Sequence, residues 1–97
     1  MRILIGHQRA YDVQRICPTA TDGKRVLREH AVTELYIDHF LGRGDSGKDI
    51  LYWAFSHDIW PSKVTLVSNR VHERDAMGKT LKDHGYLTSD GINFLKR

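Results

Sequence analysis

The stretch ELYIDHFLGRGDSGKDILYWA, residues 34–54, combines an apolar segment, a glycine-rich loop and an amphipathic segment. Its first five residues, ELYID, predict a short strand. Residues 47–58 predict a helix, and Ser46 or Asp45 is the expected N-cap. The inward stripe of that helix is expected to consist of Ile50, Leu51, Ala54 and Phe55. The stretch therefore predicts a strand, a tight loop and a helix in direct succession.

The loop has the spacing of a nucleotide phosphate loop, because Gly42 is followed after four residues by Gly47-Lys48. Asp49 stands where that motif has a Ser or Thr whose hydroxyl binds Mg²⁺. A carboxylate there would place a negative charge beside the phosphate. A chain of 97 residues also offers few β-α units for a phosphate-loop NTPase. The glycines are therefore interpreted as a tight path from strand to helix.

Elsewhere, strands and helices alternate along the chain. Strands are predicted at 1–6, 11–17 and 63–68, and helices at 20–31 and 72–84. In the first of these helices the residues expected to face inward are Val26, Leu27 and Ala31. The expected sheet is mostly parallel, in the order 2-1-3-4. Its second strand is predicted to be antiparallel at one edge, because a link of about five residues is shorter than a parallel crossover needs.

Composition and charge bound the class of protein. The chain is predicted to be a single domain, 1–97, with a C-terminal hairpin or extension at about 86–97, where Asp90-Gly91 indicates a turn. No apolar run approaches the roughly 20 residues of a membrane span, and the apolar N-terminal stretch is too short for a signal peptide. With one cysteine, Cys17, no internal disulfide is possible, so the predicted location is cytoplasmic.

The net charge of +3 lies in the C-terminal third of the chain. Residues 1–62 hold eight basic and eight acidic side chains, whereas residues 63–97 hold seven basic and four acidic ones. This asymmetry favours an anionic partner for the C-terminal region.

Polar side chains follow three of the predicted strands. In sheets of parallel strands, ligands bind at the carboxyl ends of the strands. The first strand is followed by His7 and Arg9, the third by Asp38 and His39, and the fourth by Ser68 and Arg70. These six residues are the candidate site. Arginine pairs and histidines are suited to a phosphate, which they bind through charge and hydrogen bonds.

The stretch around residues 36–55 resembles the family of cyclic-phosphate-processing receiver domains. That family has a strand ending Asp-His-Asp-Leu-Gly, where this chain has Asp38-His39-Phe40-Leu41-Gly42. Gly47 and Asp49 match the family's helix start, and Ser68 matches its fourth strand end. The resemblance covers residues 1–85. It implies a small receiver-like, flavodoxin-like α/β domain of three layers with a mostly parallel sheet.

The candidate residues are expected to have two roles: Asp38, His39 and Ser68 would be catalytic, and Arg9, Arg70 and His7 would bind phosphate. The resemblance supports Asp38, His39, Ser68 and Arg9, whereas Arg70 and His7 are expected from their chemistry and their position after the strands. The family pattern has an acidic pair after the first strand, but this chain reads GHQR at residues 6–9, and Phe40 replaces a further acid. No metal site is therefore expected, and Mg²⁺, which prefers several oxygen ligands, is expected to bind weakly or not at all.

Three functions remain open from the sequence. The first is binding or processing of a phosphate ester, such as a cyclic phosphate end of RNA or a nucleotide, by a partly degenerate site. The alternative is a catalytically inactive module that binds a protein. The third is nucleic-acid binding through the basic C-terminal region. The sequence does not decide whether the chain is an enzyme.

Overall fold

A computed structural model describes residues 1–7, 11–42 and 44–97. The strands are β1 (Arg2–Ile5), β2 (Arg15–Cys17), β3 (Glu34–Ile37), β4 (Lys63–Leu66), β5 (Tyr86–Leu87) and β6 (Asn93–Lys96). The helices are α1 (Ala20–Glu29), α2 (Gly47–Ser56) and α3 (Val71–Asp83). All these strands join one sheet in the order β2-β1-β3-β4-β6-β5.

The sheet is mostly parallel, and β3 lies within it rather than at an edge. β3 is paired in parallel with β1 on one side and with β4 on the other. α2 provides the crossover from β3 to β4, as the sequence predicted. β6 runs antiparallel to β4 and forms a hairpin with β5. The predicted α/β class with a mostly parallel sheet is confirmed.

The predicted direction of β2 is wrong, because β2 runs parallel to β1. β2 begins at Arg15 rather than at residue 11, so nine residues, 6–14, connect the two strands. This length allows the chain to return to the start of β1. There the N–H of Gln14 donates to the carbonyl of Arg2 at 2.9 Å. Tyr11, which was expected in the strand, packs against Tyr36 of β3, with ring centroids 4.9 Å apart and ring planes tilted by 36°.

All three helices pack on the same face of the sheet. Alternate strand residues build that face, and one register row of it consists of Ile3, Leu35, Val64 and Phe94. The helices contribute to this one core through apolar side chains such as Val26, Leu51 and Met77. The predicted inward position of Ala31 is wrong: Ala31 is exposed because α1 ends at Glu29 and His30 is its C-cap.

The second face of the sheet carries no helix in the described part of the chain. Tyr11, which precedes β2, lies against Tyr36 on this face. Farther along the same face, Leu87 of β5 and Leu95 of β6 are more than half exposed. Of the two outer layers predicted, one therefore contains the helices, whereas the described residues place no helix in the other.

Short local signals set where the helices begin and end. The hydroxyl oxygens of Thr19 and Ser46 accept backbone N–H groups at 3.1 Å and cap α1 and α2. Gly85, with a φ of +91°, follows α3 in the left-handed conformation that glycine adopts without strain. Among the described residues, none of the helices is long and apolar enough to cross a membrane.

The start of α2 is packed directly against the end of β3. The N–H of Gly47 donates to the carbonyl of His39 at 2.7 Å. A Cβ atom at Gly47 would overlap the carbonyl oxygen of Asp38 and would lie 2.9 Å from the sulfur of Met77. Backbone atoms cannot move aside as the end of a side chain can, so a glycine is needed at this position.

Substitution Gly47→Ala is expected to lower the free energy of unfolding by about 3 kcal/mol, because the added methyl group forces α2 away from β3. Urea denaturation measures this change. Gly78→Ala is the matched control, since it also lies in a helix but meets only the tip of the Phe94 ring, at 3.1 Å. If Gly47→Ala lowers the free energy of unfolding by no more than Gly78→Ala does, the close approach of α2 to β3 does not require a glycine at residue 47.

Candidate functional site

Three parallel strands end side by side at the candidate site. The N–H of Asp38 donates to the carbonyl of Ile5 at 3.0 Å, and the N–H of Val67 donates to the carbonyl of Ile37 at 3.0 Å. These bonds extend the registers of β1, β3 and β4 by one residue. The residues that follow the strands, among them His7, His39 and Ser68, therefore leave the sheet at the same edge.

Asp38 is partly buried at this edge and held by its neighbours. Its Oδ1 atom accepts the N–H of His39 at 2.7 Å. On the other side lies Gly6, with a φ of +152°, where an added Cβ atom would be 3.1 Å from the Cβ atom of Asp38. In the described chain, Asp38 lines neither of the two clefts at this edge. The carboxylate thus serves first to fix the local turn.

His39 carries an unsatisfied polar atom. Its Nδ1 atom is buried and has no hydrogen-bond partner among the described residues. The imidazole packs edge to face with Phe40, with ring centroids 4.8 Å apart and an angle of 89°. Both side chains line a cleft of about 340 Å³ that continues along the loop to Ser46. A buried polar atom without a partner costs free energy, so His39 is a candidate to contact a ligand.

The segment after β4 lies next to the loop after β3, which contains His39 and Phe40. Ser68 is 5% exposed, and its Oγ atom accepts the N–H of Arg70 at 3.2 Å. The guanidinium of Arg70 lies over the ring of Phe40, with its Cζ atom 4.4 Å from the ring centroid. This contact joins the loop after β4 to the loop after β3. The structure thereby places His39, Ser68 and Arg70 in adjoining loops.

The first turn of α3 opens at the same place. No side chain among the described residues caps it, and Arg70 itself occupies the N-cap position. α2 differs, because Ser46 and the carbonyl of His39 already accept two of its first N–H groups. The first N–H groups of a helix without a cap are donors that attract an anion. α3, rather than α2, therefore offers backbone donors at this edge.

His7 lies on a different cleft from His39. It lines a cleft of about 440 Å³ together with Thr19 and Thr21, at the start of α1. Gly42 and Asp45 line both clefts, so the loop that follows β3 stands between them. The two histidines are not brought into one cleft. Arg9, the other predicted phosphate-binding residue near β1, lies outside the described residues.

Cys17 ends β2 at the same edge of the sheet and is fully buried. Burial raises the pKa of its thiol above the ordinary range. A thiol held in its protonated form is a poor nucleophile. Cys17 is therefore part of the core and does not belong to the site.

Phe40 was not predicted as a site residue, although the structure puts it between His39 and Arg70. The sequence contained a signal for it, since an aromatic residue replaces an acid in an otherwise matching motif. Its contact with Arg70 joins residues 30 positions apart, which no local pattern predicts.

A comparison with protein-family models matches residues 1–83 to the cyclic-phosphate processing receiver domain. The chain belongs to this receiver family. The matched region ends with α3, so the β5–β6 hairpin lies beyond it. Among curated proteins and among solved structures, no match to the chain was found. The predicted resemblance is confirmed.

Receiver domains bind Mg²⁺ through acids at the strand ends, and the described residues of this receiver do not fit such a site. Asp38 is the one carboxylate that directly follows β1, β3 or β4, and one of its oxygens already accepts the N–H of His39. In residues 1–7, 11–42 and 44–97, no group of three His, Cys, Asp or Glu side chains could hold a metal ion. Hard cations need several oxygen ligands, which this arrangement does not supply.

Mg²⁺ at about 10 mM, roughly tenfold above the weakest dissociation constants of Ca²⁺-binding modules, is expected to leave the amide NMR signals of Asp38 and His39 almost unmoved. The amides of Asp75 and Asp83, on exposed parts of α3, serve as references for non-specific ion effects. Saturable shifts at Asp38 and His39, larger than those at the references, would show that a metal site survives.

Proposed function

We propose that this receiver domain binds a phosphate ester without a metal, and that its ligand is a cyclic phosphate end of RNA or of a nucleotide. The observation that carries the proposal is His39, which lines a cleft, has a buried Nδ1 atom without a partner in the described chain, and packs against Phe40, over which the guanidinium of Arg70 lies. Membership of the cyclic-phosphate processing family supports the ligand class.

Cationic and neutral donors of the β4–α3 connection would bind the phosphate oxygens. The guanidinium of Arg70 can donate two parallel hydrogen bonds to a phosphate. The uncapped first turn of α3 adds backbone N–H donors and the positive end of the helix dipole. Ser68 accepts an N–H through its Oγ atom, which leaves its hydroxyl proton free to be donated.

His39 would contact the ester from the other side of the cleft. Its ring can donate a hydrogen bond to a bridging oxygen, which is the position where a general acid acts in ester cleavage. Opening of a cyclic phosphate by water also needs a base on the attacking side. His7 lies on the second cleft and Asp38 lines neither, so the described residues place one imidazole, that of His39, and one carboxylate, that of Asp45, on this cleft. Binding needs only the hydrogen-bond donors of His39, Ser68, Arg70 and α3, so binding is the function that we propose.

Substitution Arg70→Ala is expected to weaken binding of adenosine 2′,3′-cyclic phosphate by about tenfold, or about 1.4 kcal/mol, because one charge-assisted pair is lost. With so few contributing groups, the affinity of the unchanged protein is expected in the high micromolar to millimolar range. NMR titration measures both values.

Arg97→Ala is the matched control, because it removes the same charge from the exposed C-terminus. An equal loss of affinity in Arg70→Ala and Arg97→Ala would show that overall charge, rather than the site, attracts the ligand.

The basic C-terminal hairpin offers a second candidate function, binding of single-stranded RNA. The specific observation is a cleft of about 610 Å³ lined by Lys63, Lys96 and the exposed side chains of Leu87 and Leu95. This cleft lies near the start of β4, at the opposite end of the parallel strands from the candidate site. There the N–H of Lys96 donates to the carbonyl of Ser62, just before β4.

Binding of a 20-nucleotide RNA to this hairpin is expected to weaken by an order of magnitude or more between low and moderate salt, because counterion release drives it. Lys96→Ala should reduce that binding, whereas Arg70→Ala should leave it unchanged. Fluorescence anisotropy measures both. RNA binding that is insensitive to Lys96 and to salt would rule out the hairpin as the RNA site.

A further inference from the structure

Phe40 is an exposed aromatic residue that is nevertheless held in place. Its side chain is 49% exposed, while the next residue, Leu41, is buried in the core. The backbone of Phe40 forms a bridge with Ser46 across the loop. The ring itself contacts two side chains, the guanidinium of Arg70 and the imidazole of His39. The loop thus presents a fixed aromatic surface to solvent rather than a freely rotating one.

Packing within the domain does not account for this position. Phe40 is absent from the set of side chains that form the core. An exposed aromatic ring with a cation over it has two properties that a ligand can use: an apolar surface for stacking and a positive charge beside it. Nucleobases stack on aromatic side chains and on guanidinium planes, whereas a simple phosphate ester has nothing to place there.

The location of Phe40 connects this surface to the proposed phosphate site. The ring lines the same cleft as His39, and the guanidinium over it belongs to the residue that precedes α3. A ligand whose phosphate reaches Arg70 and the first turn of α3 would therefore have the rest of its structure next to Phe40. A nucleotide carries a base and a phosphate on one sugar, so it can place the base on Phe40 and the phosphate at Arg70, which contact each other.

We propose that Phe40, supported by Arg70, is a stacking platform for a nucleobase, so that the site selects a nucleotide over other phosphate esters. This inference rests on the proposed phosphate site. The platform recognises the face of the base and not its hydrogen-bonding edge, because an aromatic ring offers no directional donor or acceptor. The affinity is then expected to increase with the area of the base that stacks on the ring, so purine nucleotides should bind more tightly than pyrimidine nucleotides.

The test compares three ligands by NMR titration of the full chain: adenosine 2′,3′-cyclic phosphate, glycerol 1,2-cyclic phosphate and adenosine. The first two carry the same cyclic phosphate, and only the first has a base. The unchanged protein is expected to bind the adenosine ester about tenfold more tightly than the glycerol ester, the order of one base–aromatic stack.

In Phe40→Leu the ratio of the two affinities is expected to fall to about one, and in Phe40→Trp it should be retained or increased, since the indole offers a larger ring. Tyr52→Leu is the matched control. Tyr52 is 47% exposed on α2, and its ring neighbours His84 rather than the site, so its substitution should leave the ratio unchanged.

The outcomes separate the stacking platform from the phosphate site. Equal affinity for both esters in the unchanged protein, or the same ratio in Phe40→Leu, would overturn the stacking platform and leave the phosphate site standing. Binding of adenosine and its ester with equal affinity, both sensitive to Phe40, would support the platform and overturn the phosphate site. A protein that binds none of the three ligands would overturn both.

Discussion

The close approach of Gly47 to the backbone of Asp38 fixes the geometry on which the candidate site depends. It brings the first turn of α2 onto the end of β3 and allows the N–H of Gly47 to reach the carbonyl of His39. The side chains of His39 and Phe40 leave the chain at this junction. The phosphate-loop spacing of the sequence has the same origin: Gly42 and Gly44 turn the chain with φ of +79°, and Gly47 permits the contact. The loop needs these glycines whether or not a phosphate is bound.

The parts of the fold that the sequence predicted well are those set by local pattern. The apolar stripe of α2, its Ser46 cap and the strand pattern before it depend on residues a few positions apart. The direction of β2 depended instead on the residue at which the strand begins. Tyr11 fits the alternating pattern of a strand, so the strand was predicted to begin at residue 11 rather than at Arg15, and the link before it was predicted to be too short for a parallel connection. Its contact with Tyr36 shows that its apolar character serves the second face of the sheet. Periodicity alone does not distinguish these two uses of an aromatic side chain.

The site shows a similar division. Parallel strands bring their carboxyl ends to one edge, which was enough to nominate residues after β1, β3 and β4. Which of them share a cleft depends on the path of the loop after β3, and that path places His7 on one side and His39 on the other. The pairing of Phe40 with Arg70 depends on how two loops meet. Such contacts follow from tertiary packing, so the local pattern of the sequence does not predict them.

The residues that differ from the family pattern change the charge of the site in the same direction. Gly6, His7 and Phe40 all stand where the pattern has acids, and each removes a negative charge from the same edge of the sheet. Asp38 stays, with one oxygen bound to a backbone N–H. In receivers that bind a metal ion, the phosphate contacts the metal. In this chain we propose that it contacts Arg70 and the uncapped first turn of α3. The loss of these acids lowers the negative charge that a phosphate would encounter at this edge, while Asp45 still lines the cleft of His39 and Glu73 lies in the first turn of α3. The replacements that remove oxygen ligands for Mg²⁺ are in this way compatible with the metal-free phosphate binding that we propose.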